Sequence, residues 1–316
     1  MPLLLLLTAA GCTSHGRRAA HDTSAAGAGN GTERTVTGRA GFSLPAIPAA
    51  IADPQARSEY LRDHYWDSID FADTLLLSTL DTGQLTKAFA FYAGSFFSEA
   101  DTTAAETVLR RASVSKQGLD YISMLAERVL YDPNSPMRND EMYIPFIEAQ
   151  AASALYDEWE RASAAELLRL VKRNRPHHRA EDFVYTLRDG RRGTLYGLKA
   201  DYVLLFFHNP GCPMCRTLTE QIKSSPLLAR MIADGRLKVL AVYPDENTAE
   251  WDAGRGEIPS SWSDARDADG LISDRALYDL KAIPSLYLLD ADKRVLVKDA
   301  SDTFVAEQAL REAAGV

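Results

Sequence analysis

The sequence of 316 residues has little cysteine, little positive charge and no long apolar run. Its cysteines are Cys12, Cys212 and Cys215, too few for a disulfide framework and too unevenly spaced for a four-ligand zinc site, so we predict no metal. Lysine and arginine number 35 against 44 aspartates and glutamates, a net charge of −9, so no nucleic-acid partner is expected. The 46% hydrophobic and 25% charged residues indicate a globular protein, and the length suggests two domains.

The apolar run at the amino terminus is only five leucines long, over residues 3–7, whereas a membrane-spanning helix needs about 20 apolar residues. Small residues lead from this run to Cys12, and the pattern resembles a bacterial lipobox. The resemblance implies that a signal peptide of residues 1–11 is removed and that Cys12 carries a lipid. Met1-Pro2 lacks the positive charge that usually opens such a leader, so an incidental cysteine in a leader peptide is the alternative.

The residues after Cys12 bear on location. Thr13 and Ser14 follow it, and by analogy with lipoprotein sorting the absence of aspartate favours the outer membrane over the inner, facing the periplasm of the cell envelope. Residues 13 to about 45 contain six glycines and no hydrophobic periodicity. Because such a segment buries too little apolar surface to offset the entropy of ordering, we predict a flexible tether over residues 12–50.

Residues 51–178 are predicted to form an all-α domain of five or six helices. The helical period is clear where apolar side chains recur at i, i+3, i+4, i+7 and i+11, namely Leu85, Ala88, Phe89, Tyr92 and Phe96. Aromatic residues are frequent here, and at this spacing they usually face a core, although a ligand groove is the alternative. Capping-box patterns at Thr103 with Glu106 and at Ser163 with Glu166 predict two helix starts.

Two other segments of this half interrupt the helical pattern. Residues 130–145 contain three prolines with several Asp and Asn, which predicts a turn. His177-His178 follows a proline among arginines, which indicates an exposed interdomain linker rather than metal ligands. Segment 130–145, taken with the lipobox and the half that follows, resembles an uncharacterised helical domain of unknown function found ahead of thioredoxin-like domains in envelope lipoproteins, over about residues 55–175.

The period changes in residues 179–316, where alternating segments at 182–187 and 194–198 flank a glycine-containing turn and predict a β-hairpin. Residues 202–207 form a continuous apolar run typical of a strand buried on both faces. Further strands are predicted at 237–243, 283–289 and 294–297, with a helix ending near 278–280. The order β–α–β–α–β–β predicts an α/β domain.

Cys212-Pro213-Met214-Cys215 stands where the buried strand gives way to an amphipathic helix. A thiol in the first helical turn faces unpaired backbone N–H groups and the positive end of the dipole, which favour thiolate, so Cys212 is the predicted nucleophile. Cys215, one turn along, is the predicted resolving thiol that closes a disulfide with Cys212. Pro213 suits the first helical position, because it needs no N–H donor there. A buried or half-zinc cysteine pair is the alternative.

The span from about 180 to 316 resembles the TlpA/ResA class of envelope thiol-disulfide oxidoreductases, with a thioredoxin-like fold: a central mixed β-sheet flanked by helices, here preceded by the all-α domain. The resemblance implies that Pro284 is the cis-proline beside the disulfide and that Ile283 pairs with a substrate strand. Phe206 departs from the family, because thioredoxin keeps a buried acid at that position. Asp245 and Glu246, after the strand at 237–243, could supply the missing acid, although a solvated loop is the other interpretation.

The resemblance implies a lipid-anchored thiol-disulfide oxidoreductase that acts on protein clients. The reductase direction is favoured, because related proteins commonly act as reductases. The enzyme would need no cofactor beyond the Cys212–Cys215 disulfide and would take electrons from a membrane partner protein, because no NADPH or flavin motif is present. Peroxiredoxin activity is disfavoured, because Asn209 stands where those enzymes place threonine. A non-catalytic binding lipoprotein, with the thioredoxin fold as scaffold, is the alternative.

Overall fold

A computed structural model of the chain describes residues 41–267 and 269–315. Cys12, the predicted signal peptide and most of the predicted tether lie outside the described residues. Within those two ranges no helix is both long and apolar enough to cross a membrane.

The first half of the described chain folds into more helices than the five or six that the sequence pattern predicts. Aspartates cap the first three, because the side chains of Asp53, Asp73 and Asp81 accept backbone N–H groups of the first turns. The helices are α1 (Pro54–His64), α2 (Thr74–Thr79), α3 (Thr82–Phe96), α4 (Thr103–Ala112), α5 (Lys116–Ala126), a π-helical turn (Glu127–Tyr131), α6 (Asp140–Ala152) and α7 (Glu158–Val171).

Aromatic packing holds these helices together. Trp66, Phe89 and Tyr92 are almost fully buried, and the Phe89 ring packs edge-on against Phe146 of α6 at 5.7 Å between centroids. Burial of one such side chain stabilises the fold by about 1.5–3 kcal/mol. The aromatic stripe therefore forms a core, as the helical spacing predicts; Phe91 on the outer face of α3 is an exception and is 56% exposed.

In this half one predicted helix start was confirmed with its cap displaced by one residue, and two other local predictions were wrong. The N-cap of α4 is Thr102, one residue earlier than predicted, and its hydroxyl donates to Glu106 at 2.6 Å. Ser163 lies inside α7, because Asp157 and Glu160 form the capping box at its start. Residues 140–145 belong to α6 rather than to a turn, because Asn139 caps the helix by accepting the Met142 N–H.

The second half is a seven-stranded mixed sheet. Its strands are β1 (Val184–Leu187), β2 (Arg192–Thr194), β3 (Tyr202–Phe207), β4 (Leu237–Tyr243), β5 (Ser263–Asp267), β6 (Ser285–Asp290) and β7 (Val295–Ala300), in the order β2-β1-β5-β4-β3-β6-β7. Strands β3, β4 and β5 are parallel, and the other pairs are antiparallel. The helices are α8 (Pro213–Ser224), α9 (Pro226–Ala233), α10 (Thr248–Ala253), α11 (Leu271–Asp274) and α12 (Phe304–Ala314).

Strand β3 is buried on both faces, as its continuous apolar run predicts. Leu204 and Phe206 face one apolar cluster that includes α8, α9 and α12, while Leu205 and Phe207 face another that includes Tyr278. Helix α8 therefore packs on the same face of β3 as Phe206. Both halves of the described chain belong to one compact unit.

Other predictions in this half need correction. Strand β5 was not predicted, because its sequence Ser-Asp-Ala-Arg-Asp has no apolar alternation; pairing with β1 and β4 creates it. Residues 278–280 are not a helix end, since α11 stops at Asp274. His177 and His178 are exposed as predicted, yet their backbones are held by hydrogen bonds to Val295, so this segment is fastened to the sheet.

Candidate thiol site

Cys212 is the N-cap residue of α8, at the carboxyl end of β3, and Pro213 occupies the first helical turn. Gly211, just before it, has a φ of 71°, a left-handed conformation that strains residues with a Cβ. Cys212 is partly exposed, and its Sγ accepts the backbone N–H of Cys215 at 3.3 Å. The structure therefore places an accessible sulfur at the first turn of α8.

Cys215 has the opposite environment. Its side chain is only 4% exposed, and both cysteines are free thiols. Burial, and then the neighbouring Cys212 sulfur, raise the pKa of Cys215 to about 12. The pair therefore combines an accessible sulfur that can attack with a shielded sulfur that keeps its proton.

Ile283 and Pro284, which we call the cis-proline loop, lie just before β6. The pairing of β6 with β3 places this loop at the same end of the sheet as Cys212. In the antiparallel pair of β3 and β6, Phe207 faces Ser285, so the residues after β3 and those before β6 meet at one edge. The Ile283–Pro284 peptide bond is cis, as the resemblance implies. Cys212 and Ile283 pack against the same apolar cluster, of which Cys215 is a buried member. The fold therefore brings four of the predicted site residues to one edge of the sheet: Cys212, Cys215, Ile283 and Pro284.

Asp245 and Glu246, the predicted acidic support, are exposed in the loop after β4. Asp245 accepts the backbone N–H of Asn247 at 3.1 Å, and Glu246 packs against Gly270. Among the described residues, neither carboxylate hydrogen-bonds to a cysteine of the motif. Phe206, where thioredoxin has its acid, is fully buried and packs near Trp262.

The connection between β4 and β5, residues 244–262, contributes contacts that the sequence analysis missed. Glu257 accepts the backbone N–H of Gly211 at 2.9 Å, and Gly254 lies so close to Pro210 that a methyl group on Gly254 would clash with the proline ring. These contacts support the loop that carries Cys212. Residues 254–257, Gly-Arg-Gly-Glu, have no motif spacing, so only the tertiary contact identifies Glu257.

His208, four residues before Cys212, was also missed. Its ring is 3% exposed and lies 5.4 Å from Phe206, and its Nε2 has no hydrogen-bond partner in the part of the chain that the structure describes. Burial, more than the nearby charges, lowers the pKa of His208 to about 4. It is therefore neutral at physiological pH beneath the thiol loop.

Comparison with known proteins fits this architecture. Residues 17–174 match the model of a domain of unknown function, DUF5106. A thioredoxin-like protein from Bacteroides caccae, solved as a crystal structure, is 40% identical; the match covers 85% of this chain and 98% of that one, with a TM-score of 0.76. The chain belongs to the DUF5106 family of thioredoxin-like proteins.

Other solved structures match less than half of this DUF5106 protein. The C-terminal domain of an uncharacterised protein from Bacteroides fragilis is 43% identical, covering 44% of this chain and 98% of that one, with a TM-score of 0.41. The thioredoxin domain of a thiol-disulfide oxidoreductase from Bacteroides vulgatus is 20% identical, covering 42% and 96%, with a TM-score of 0.37. A search of curated proteins found no match.

Proposed function

We propose that this protein is a thiol-disulfide oxidoreductase that reduces disulfides of protein clients in the bacterial cell envelope. The observation that carries the proposal is the contrast between the two sulfurs: Cys212 is partly exposed at a helix N-terminus, and Cys215 is buried one turn away. The cis Ile283–Pro284 loop at the same edge of the sheet supports a substrate site beside them.

The proposed reaction has two exchanges. The Cys212 thiolate attacks one sulfur of a client disulfide, so that the client S–S bond breaks, a mixed disulfide forms and the second client sulfur leaves as thiolate. Cys215 then attacks Cys212, which breaks the mixed disulfide, forms the Cys212–Cys215 disulfide and releases the other client sulfur. Two electrons pass from the protein to the client; one proton comes from the Cys215 thiol, and the second client sulfur takes its proton from water.

The proton on Cys215 must leave before the second exchange. With a pKa raised to about 12 and Phe206 in place of an acid, the described chain offers no carboxylate hydrogen-bonded to that thiol. Once Cys212 is bound in the mixed disulfide, its sulfur no longer raises the pKa of Cys215 as a neighbouring thiolate, so the resolving thiol loses its proton more readily at that stage. Resolution would then follow client attack, which limits premature closure of the disulfide.

The location and electron supply of this proposal rest on the sequence. A lipid at Cys12, with residues 12–50 as tether, would hold the enzyme at the periplasmic face of the outer membrane, and a membrane electron-donor protein would return the Cys212–Cys215 disulfide to the dithiol. Metabolic labelling with an alkyne fatty acid should mark the wild-type protein and not Cys12→Ala. Equal labelling of both would contradict the anchor.

Client capture tests the catalytic proposal directly. Cys215→Ser retains the attacking thiol but cannot resolve, so it should accumulate mixed disulfides with envelope proteins that are released by reductant. The matched Cys212→Ser variant, which keeps the buried thiol, should capture none. If neither variant traps a client and the wild type reduces no polypeptide disulfide, the protein is better described as a binding lipoprotein.

A further inference from the structure

A buried group of charges joins the helical half to the cis-proline loop. Lys281, two residues before Ile283, is 4% exposed at its side chain, and its Nζ lies 3.0–3.1 Å from three carboxylates. We name this group the ionic cluster. It consists of three cations, Arg138, Lys281 and Lys298, and three carboxylates, Asp140, Asp279 and Asp299.

The ionic cluster contacts the residues that flank the cis-proline loop, on both sides of the Ile283–Pro284 peptide bond. Before the bond, Asp279 and Lys281 belong to the cluster; after it, the Ser285 hydroxyl donates to Asp299 Oδ1 at 2.7 Å. Asp299 thus contacts both flanks, since its other oxygen lies 3.1 Å from Lys281 Nζ. The segment 279–285 is therefore held at three of its seven positions.

The helical half of the chain supplies part of these contacts. Asp140, the first residue of α6, lies 3.0 Å from Lys281 Nζ and 2.8 Å from Lys298 Nζ, and the Tyr131 hydroxyl donates to Asp279 at 3.1 Å. Burial opposes the charges of Asp140 and Lys281, but their charged neighbours outweigh it, so the pKa of Asp140 is lowered and that of Lys281 raised. Removing one partner would leave an uncompensated buried charge beside the loop.

We propose that Asp140 is a positioning residue for thiol-disulfide exchange: through Lys281 it holds the Ile283–Pro284 loop where a client strand can dock beside Cys212. This inference rests on the proposed function and assigns the helical half a part in client binding. The reacting sulfurs themselves do not contact the ionic cluster in the hydrogen bonds and ion pairs of the described chain, so Asp140 should act on docking and not on thiol chemistry.

The test compares Asp140→Asn with Glu141→Gln in the full chain. Glu141 is the next residue of α6, and its ion pair with Arg175 does not involve the loop, so it is a matched control. Tyr131→Phe, which removes one hydrogen bond to Asp279, is a milder second variant should Asp140→Asn fold poorly. Each is assayed on insulin as a polypeptide disulfide and on hydroxyethyl disulfide, which is too small to use the loop.

We expect Asp140→Asn to raise the KM for insulin by about fivefold or more, the lower end of ordinary coupling between two sites, with Tyr131→Phe intermediate. Rates with hydroxyethyl disulfide and of Cys212 alkylation should stay near those of the wild type, and Glu141→Gln should match the wild type throughout. A parallel loss on both disulfides would indicate general destabilisation and overturn the proposal.

Hydrogen exchange of the segment 279–286 separates this inference from the proposed function. Asp140→Asn should increase amide exchange there while Glu141→Gln does not, whether or not the protein is active. Unchanged exchange in this segment overturns the positioning role even if the wild type reduces insulin. A wild type that reduces no polypeptide disulfide overturns the proposed function, and with it any role of Asp140 in exchange.

Discussion

The thiol site and the ionic cluster are built in opposite ways. The thiols lie within four consecutive residues at a strand-to-helix junction, and Cys212 is open to solvent. The cluster takes its charges from residues between 138 and 299, and all of its side chains except Arg138 are at most 7% exposed. A reactive group needs local geometry and access, whereas buried charges need partners from several elements. The comparison teaches that a thiol motif can be encoded by a few neighbouring residues, whereas a buried group of charges depends on the whole fold.

The largest effect is expected at the thiol site, on the rate of disulfide exchange. Cys212→Ser should reduce disulfide exchange to background, because no other accessible thiol lies at the described site, while the free energy of unfolding should change little at this partly exposed position. Insulin reduction and urea unfolding measure the two effects. In the wild type, iodoacetamide should modify Cys212 well before Cys215; equal, slow reaction of both would contradict the assigned roles.

Removing a carboxylate from the ionic cluster should also lower the free energy of unfolding. Asp140→Ala leaves two buried lysines short of a partner and should lower the free energy of unfolding by about 3–5 kcal/mol. Glu141→Ala, which breaks a more exposed ion pair on the same helix, should cost about 0–1 kcal/mol. Urea unfolding at neutral pH checks both. Similar losses would remove the distinction between buried and exposed charge on α6.

His208 is a buried titratable group four residues before Cys212, and its titration should make the stability of the protein depend on pH. Its pKa is lowered to about 4 in the folded protein from 6.5, so the stability that its neutral ring contributes is complete above pH 6.5 and is lost as pH falls toward 4, where the unfolded chain takes up the proton. The loss should reach about 3 kcal/mol.

Urea unfolding at neutral pH and near pH 4 tests this dependence by comparison with His208→Gln, which cannot titrate. The variant should show a correspondingly smaller loss of stability between the two pH values. An identical loss in both proteins would assign the acid sensitivity to other groups, such as the carboxylates of the ionic cluster.

The smallest effect concerns the β4–β5 connection, whose residues Gly254 and Glu257 contact the thiol loop. Gly254→Ala places a methyl group against the rigid ring of Pro210 and should cost about 1–3 kcal/mol, because the loop must shift to relieve the overlap. It should also change the rate of Cys212 alkylation. Ala253→Ser at the exposed neighbouring position serves as control, and no difference between the two variants would show that the thiol loop is independent of the β4–β5 connection.

Features that depend on neighbouring residues were predictable from the sequence. The apolar run of β3, the aromatic face of α3 and the placement of Cys212 at the start of α8 follow from side-chain period and helix-end chemistry, which act over a few residues. Pro284 could be assigned only through family resemblance, because most X-Pro bonds are trans.

Tertiary structure alone decided the rest. Strand β5 has a charged sequence that becomes a strand only between β1 and β4, and Glu257 supports the thiol loop from 46 residues away. The ionic cluster is the clearest case, since Asp140 and Lys281 are 141 residues apart and look like ordinary surface charges in the sequence. Period and spacing report the surroundings along the chain, whereas burial and charge pairing depend on which elements the fold brings together.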